Sequence, residues 1–201
     1  MSNEYSYQMD AARIMISPTV NEIREILKKA PVELITKEMS DRNVWDDYSN
    51  GLYGTNSLVE ALWSIKERTS EVMAFLFIDN NQRRIGYKEI TQFDPKQVRF
   101  TAREAVKYAI ENGACAVAMA HNHPHSNSCD PSNADIEITC AVAQALNAVG
   151  ITVIDHLIFS KTGILSFGDS GAMEIINSTI CENTATRIIM SLIGETSNQS
   201  E

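Results

Sequence analysis

The sequence predicts an α/β fold in which helices and strands stack in layers, with a mixed β-sheet flanked by helices. Three features predict it. Continuous apolar runs of strand length, Val72 to Ile78, Ala114 to Ala120 and Ile151 to Phe159, read as strands buried on both faces. Segments with helical spacing of apolar residues lie before and between them. Two of the runs lead through polar turns into hairpin partners. The 201 residues suit one domain of ordinary size. They are few for a (β/α)8 barrel, which takes ~250.

In chain order, residues 1–16 carry no strong signal. A helix is expected after Ser17, with Pro18 at its first position, an apolar stripe of Val20, Ile23, Ile26, Leu27 and Ala30, and Pro31 as its stop. Residues 32–56 are polar and irregular, yet hold Trp45, Tyr48 and Tyr53, which suits a packed loop. Ser57 and Glu60 have capping-box spacing, and Leu58, Ala61, Leu62 and Ile65 give the next helix its buried face. The run to Ile78 turns at Asp79-Asn80-Asn81 and pairs with Ile85 to Ile90. Thr101 and Glu104 cap a helix with the stripe Val106, Ala109 and Ile110, ended by Asn112-Gly113. Ala114 to Ala120 runs into His121. Ser132 and Asp135 open a helix through Ile136, Cys140, Ala143 and Leu146 to Gly150. Ile151 to Phe159 then pairs with Ile164–Phe167 across Lys161-Thr162-Gly163. A short helix is expected near Arg187–Ile193. The organisation is an N-terminal helical and irregular extension (1–56), a metal-binding domain (57–171) and a C-terminal tail (172–201).

The net charge of −9 argues against a chain built mainly to hold nucleic acid, and DNA is not expected as a direct ligand. No apolar run approaches the ~18 residues of a membrane span, and Met1 to Asp10 lacks an apolar signal core. Four cysteines, at 115, 129, 140 and 181, form no C-x-x-C pair. Cys115 and Cys140 read as small buried thiols, and a reduced, cytoplasmic setting follows.

The chemistry concentrates in the histidines. All four, at 121, 123, 125 and 156, lie within one stretch, three of them alternating in His121-Asn122-His123-Pro124-His125. On extended backbone, residues i and i+2 point to one side, so His121 and His123 can face one ion. Asp135, in the first turn of the next helix, returns close to that strand end. Two histidines, one carboxylate and an open position make a catalytic zinc arrangement, in which zinc lowers the pKa of bound water to ~7. Ser132 reads both as an N-cap and as a hydroxyl facing a developing oxyanion. The H-x-E and P-C-x-x-C pattern of zinc deaminases is absent.

Ala120-His121-Asn122-His123-Pro124, then Pro131-Ser132-x-x-Asp135, Gly150-Ile151 and Asp155-His156-Leu157-Ile158 resemble the RadC-like branch of the JAB/MPN (JAMM) metalloproteins, over about residues 71 to 171. The resemblance implies a cytidine-deaminase-like sandwich, Zn2+ held by His121, His123 and Asp135, and an upstream glutamate acting as general base. The matching glutamate is Glu71, with Glu89 in reserve. Asp155 and His156 are expected to orient the ligands. The loop Pro124 to Pro131 is one residue longer than the family pattern. It brings His125 and Cys129 as further ligand candidates, although its extra residue is expected to bulge outward. The helix-hairpin-helix segment of longer RadC-like proteins has no counterpart in residues 1–56. The implied function is a zinc-dependent peptidase or isopeptidase acting on a peptide or isopeptide substrate. The alternative is a non-catalytic metal-binding module tied to DNA repair or mobile elements.

Overall fold

The computed structural model describes residues 20–34, 52, 54–90 and 98–181. Its elements are α1 (Val20–Leu27), β1 (Glu33–Leu34), α2 (Gly54–Leu62) running into a 3-10 turn (Trp63–Glu67), β2 (Met73–Ile78), β3 (Arg84–Ile90), α3 (Val98–Glu111), β4 (Ala116–Asn122), α4 (Asn133–Asn147), β5 (Thr152–Phe159) and β6 (Gly163–Ser166). A further helix, α5, spans 172–181. The expected helix at Arg187–Ile193, the start at Ser17 and Pro18, and Trp45, Tyr48 and Tyr53 lie outside the described residues.

The six strands form one mixed sheet in the order β1-β6-β5-β4-β2-β3. Only β4 and β5 pair in parallel, joined across α4, and the other pairs are antiparallel. This is the layered mixed sheet that the apolar runs predict. Strand alternation divides the core in two. Met73, Phe75 and Phe77 of β2, with Val117 and Met119 of β4, pack on one face beneath α1, α3, α4 and α5. Ala74, Leu76 and Ile78, with Ala118 and Ala120, pack on the other beneath α2 and the 3-10 turn. Every residue of β2 is buried, as its continuous run requires.

Several local expectations are corrected. α2 begins at Gly54, whose φ of +76° suits glycine, so Ser57 lies inside the helix and does not cap it. α3 likewise begins before Thr101. Its buried face is built from Ala102, Ala105 and Ala109, while Ile110 is exposed. Cys115, just before β4, is exposed, and Cys140 is only half-buried. β5 is not buried on both faces from its start, since Ile154 is exposed. The C-terminal tail expected over 172–201 opens with a core helix, since Ala172, Met173 and Ile176 of α5 are core residues.

Candidate metal centre

The site lies where β4 ends. Alternation puts Val117, Met119 and His121 on the face covered by α4, and Asn122 on the opposite face. His123 continues the extended course, its N–H donating to the Phe159 carbonyl at 2.7 Å. The two imidazoles therefore meet, with Nε2 to Nε2 at 3.0 Å. Asp135 arrives from the first turn of α4 through a complete capping box. Its N–H donates to Ser132 Oγ at 3.2 Å, and Ser132 N–H donates to Asp135 Oδ2 at 2.7 Å. Asp135 Oδ1 then stands 3.4 Å from His121 Nε2, and Oδ2 stands 3.9 Å from His123 Nε2. Glu71 lies two residues before the start of β2, whose Met73 pairs with His121. One ligand atom from each of Glu71, His121, His123 and Asp135 lies within 4.8 Å of the others. These four can hold a metal ion.

Electrostatics favour uncharged imidazoles. His121 is fully buried, and burial pulls its pKa down to about 4, with Asp135 opposing and His123 reinforcing the shift. His156, also fully buried, is held well below its ordinary value by desolvation and then by the other two histidines. Glu71 is raised, mainly by desolvation and further by Asp135, against the pull of His123. An open cleft of about 690 Å³ fronts the cluster, lined by Glu71, His123, Pro124, His125, Ser126, Ser132 and Asp135.

The surroundings separate the remaining candidates. Glu89 takes no part in the cluster. It is gripped by Arg68 at 2.9 and 3.1 Å and by Tyr87 Oη–H at 2.5 Å. Burial alone would raise its pKa, but these donors carry it below the usual value. Cys129 turns inward, its thiol donating to Ser160 Oγ at 3.1 Å, and burial pushes that thiol up. His125 lines the cleft but does not join the ligand group. Asp155 supports the fold without reaching the His156 ring. Its carboxylate accepts from His156 N–H, Gly168 N–H and Ser166 Oγ–H. His156 does reach a ligand, with Nε2 2.9 Å from His121 Nδ1.

Three contributors were missed in the sequence. Asn122, 1% exposed, brackets Glu71: its amide donates to the carbonyls of Arg68 and Ser70, and its Oδ1 accepts from Val72 N–H at 2.8 Å. The middle residue of His-x-His must point to the opposite face from both histidines, and that geometry was a usable signal. Thr139, one turn after Asp135 in α4, meets His156, and its i+4 spacing from Asp135 was also available. Arg24 of α1 bonds Asn133 and the Pro131 carbonyl, tying α1 to the start of α4. No local pattern announces that contact.

A family model described as the RadC-like JAB domain matches residues 54–172, more than half of the chain. The chain belongs to the RadC-like JAB domain family. Among curated RadC-like relatives, a UPF0758 protein of Cellvibrio japonicus is 37% identical over 137 residues, 67% of this chain and 61% of that protein. A UPF0758 protein of Photorhabdus laumondii is 33% identical over 143 residues, 71% of this chain and 61% of its own length. One from Marinobacter nauticus is 40% identical over 103 residues, 51% of this chain and 46% of that protein. The RadC-like chain thus spans about half to three-fifths of the length of these relatives. Among the described residues, no helix is long and apolar enough to cross a membrane.

Proposed function

We propose that this RadC-like chain is a zinc-dependent metallohydrolase that cleaves a peptide or isopeptide bond. One observation carries the reading: two imidazoles and a buried carboxylate converge at one edge of an open cleft, with a second carboxylate beside them. The donor set fits the ion. Ligand atoms ~2.0–2.1 Å from a tetrahedral zinc lie about 3.3 Å apart, close to the 3.0 and 3.4 Å found around His121 Nε2. His123 Nδ1 faces the Ser128 carbonyl at 3.2 Å. A carbonyl only accepts, so Nδ1 is the donor of that contact and Nε2 is the ring nitrogen turned to the cluster.

His121, His123 and Asp135 would hold the ion. When bound, zinc supplies Lewis-acid polarisation of the scissile carbonyl and acidifies water at neutral pH. Glu71 takes a proton from the attacking water onto a carboxylate oxygen and delivers it to the leaving amine nitrogen as the C–N bond breaks. Desolvation raises its proton affinity in the direction this exchange needs. Ser132 Oγ accepts from Asp135 N–H, which leaves the hydroxyl proton to donate toward the developing oxyanion. The capping box fixes Ser132 and Asp135 together, so one helix start provides both groups.

The test is metal content and hydrolysis of peptide and isopeptide substrates, measured on the wild type, Glu71→Gln and His123→Ala. Expected are about one zinc per chain in the wild type and in E71Q, loss of zinc in H123A, and turnover only in the wild type. Hydrolysis by E71Q at the wild-type rate would overturn the assignment of Glu71. DNA affinity with a steep salt dependence and no hydrolysis would overturn the hydrolase reading in favour of a binding module.

A further inference from the structure

One side chain from outside the matched span of 54–172 reaches the base of the site. Arg24 lies in α1, beside the buried Ile23 and one turn from the buried Leu27, which seat that helix in the core. Its guanidinium meets groups on both sides of Ser132. Nη1–H donates to the Pro131 carbonyl at 2.9 Å, and Nε–H donates to Asn133 Oδ1 at 3.0 Å, with Nη2–H on the same oxygen. Asn133 is the first residue of α4, and Ser132 is its N-cap. A helix N-terminus carries positive partial charge and favours anions, so an arginine there runs against the dipole. Hydrogen-bond geometry, not charge, accounts for its place.

That geometry leads directly into the site. The Pro131 carbonyl and the Ser132 N–H belong to one planar peptide unit, so holding the oxygen fixes the direction of the N–H. The Ser132 N–H is the donor that grips Asp135 Oδ2 at 2.7 Å. With Oδ2 held, Oδ1 of the same carboxylate stands 3.4 Å from His121 Nε2. The second acceptor, on Asn133, ties down the first turn of α4, from which Asp135 projects. A guanidinium is rigid and planar, so the two acceptors are also fixed relative to each other. The capping box ties Ser132 and Asp135 together, and Arg24 anchors the pair to a second helix.

We propose that Arg24 is a positioning residue: it clamps the Pro131–Ser132 peptide and the start of α4, and so aims the Asp135 carboxylate at the metal position and holds Ser132 in its cap. The inference rests on the metal-site reading above and deepens it. The bonds of Arg24 go to Pro131 and Asn133, so it acts on the metal position only through Asp135. On this reading α1 is a working part of the site, although it lies outside the matched domain.

The experiment uses the full chain and needs no substrate. Zinc affinity is measured by competition with a chromophoric chelator, and exchange of the Ser132 amide is followed in metal-free protein. Both are read on the wild type, Arg24→Met, Arg24→Lys and Ile176→Val. R24M keeps most of the apolar stem and removes the fork. R24K keeps the charge but presents a single ammonium, which cannot match both acceptors as the fork does. I176V trims a buried side chain of α5, which carries no part of the clamp, and reports what destabilisation alone does. Expected in R24M and R24K are zinc binding about tenfold weaker, the low end for groups that orient metal ligands, and a Ser132 amide exchanging about tenfold faster. I176V should keep wild-type values of both. Wild-type affinity and exchange in either Arg24 variant would overturn the proposal, and so would an equal change of both in I176V. If R24M does not fold, R24K decides. If the wild type binds no zinc, the metal reading fails and Ser132 exchange alone decides the clamp. Zinc binding without hydrolysis would count against the hydrolase reading and leave the clamp standing.

Discussion

Replacing Asn122 by alanine tests how the proposed general base is held. The Asn122 side chain makes three bonds to the segment containing Glu71. It accepts from the buried Val72 N–H at 2.8 Å and donates to the Ser70 and Arg68 carbonyls at 3.1 and 3.2 Å. Leaving the buried N–H unpaired costs about 1–3 kcal/mol. The two carbonyls are only partly buried, so water recovers most of their bonding, and their loss adds about 1 kcal/mol. Together Asn122→Ala should destabilise the domain by about 2–4 kcal/mol. His121 and Asp135 lie on the other face of β4, so zinc binding should survive. Urea unfolding should show a lower midpoint at unchanged slope. Amide exchange should show lost protection at Val72. Hydrolysis should fall at least tenfold as Glu71 loses its bracket. A change below about 1 kcal/mol with Val72 still protected would refute the reasoning, and so would loss of the metal.

Other expectations follow from the same geometry. Asp135→Ala removes a ligand and half of a capping box, so it should abolish zinc binding and also lower metal-free stability by about 1 kcal/mol, read by thermal unfolding of both variants with chelator present. Glu89→Gln should leave zinc content and hydrolysis at wild-type levels, because Glu89 takes no part in the ligand cluster, and should cost about 1–3 kcal/mol, because a carboxylate only 13% exposed loses its charge-assisted bonds to Arg68; loss of activity would return Glu89 to candidacy. Metal-free protein should lose stability as pH falls from about 6.5 toward 4. In that window the unfolded His121 binds a proton that the folded one, held to about 4, refuses. One such proton gives about 1.4 kcal/mol per pH unit, and His156 acts in the same direction. Denaturation midpoints unchanged between pH 7 and pH 5 would contradict this.

The layered fold was legible because β2 and β4 are continuous apolar runs and period-two alternation leaves few other uses for them. Element starts were less legible. Ser/Thr-x-x-Glu has the same spacing at a helix start and inside a helix, so Ser57 and Thr101 mark the second turn rather than the cap. At Ser132-Asn133-Ala134-Asp135 the same spacing does mark the cap, with the full capping box formed. The pairing of His121 with His123 follows from strand geometry alone. Glu71 needed the family resemblance, since a lone glutamate before a strand carries no pattern. Asn122, Thr139 and the Arg24 tether were illegible because their partners are set by tertiary contact: Thr139 meets a ring 17 residues away and Arg24 a side chain 109 residues away.

The loop from Pro124 to Pro131 has a consequence for how such domains diversify. It is fastened chiefly to the β5–β6 hairpin, through Lys161 N–H to the Ser126 carbonyl, Thr162 Oγ1–H to the Asn127 carbonyl, and Cys129 to Ser160. Its contact with His123 is made by the Ser128 main-chain carbonyl, a group every amino acid carries. Mutation can therefore rewrite the exposed side chains at 125 and 127, and with His125 part of the cleft wall, while the hydroxyls of Ser126 and Ser128 keep the loop braced and the cluster is inherited intact. Selectivity and chemistry are free to drift at different speeds.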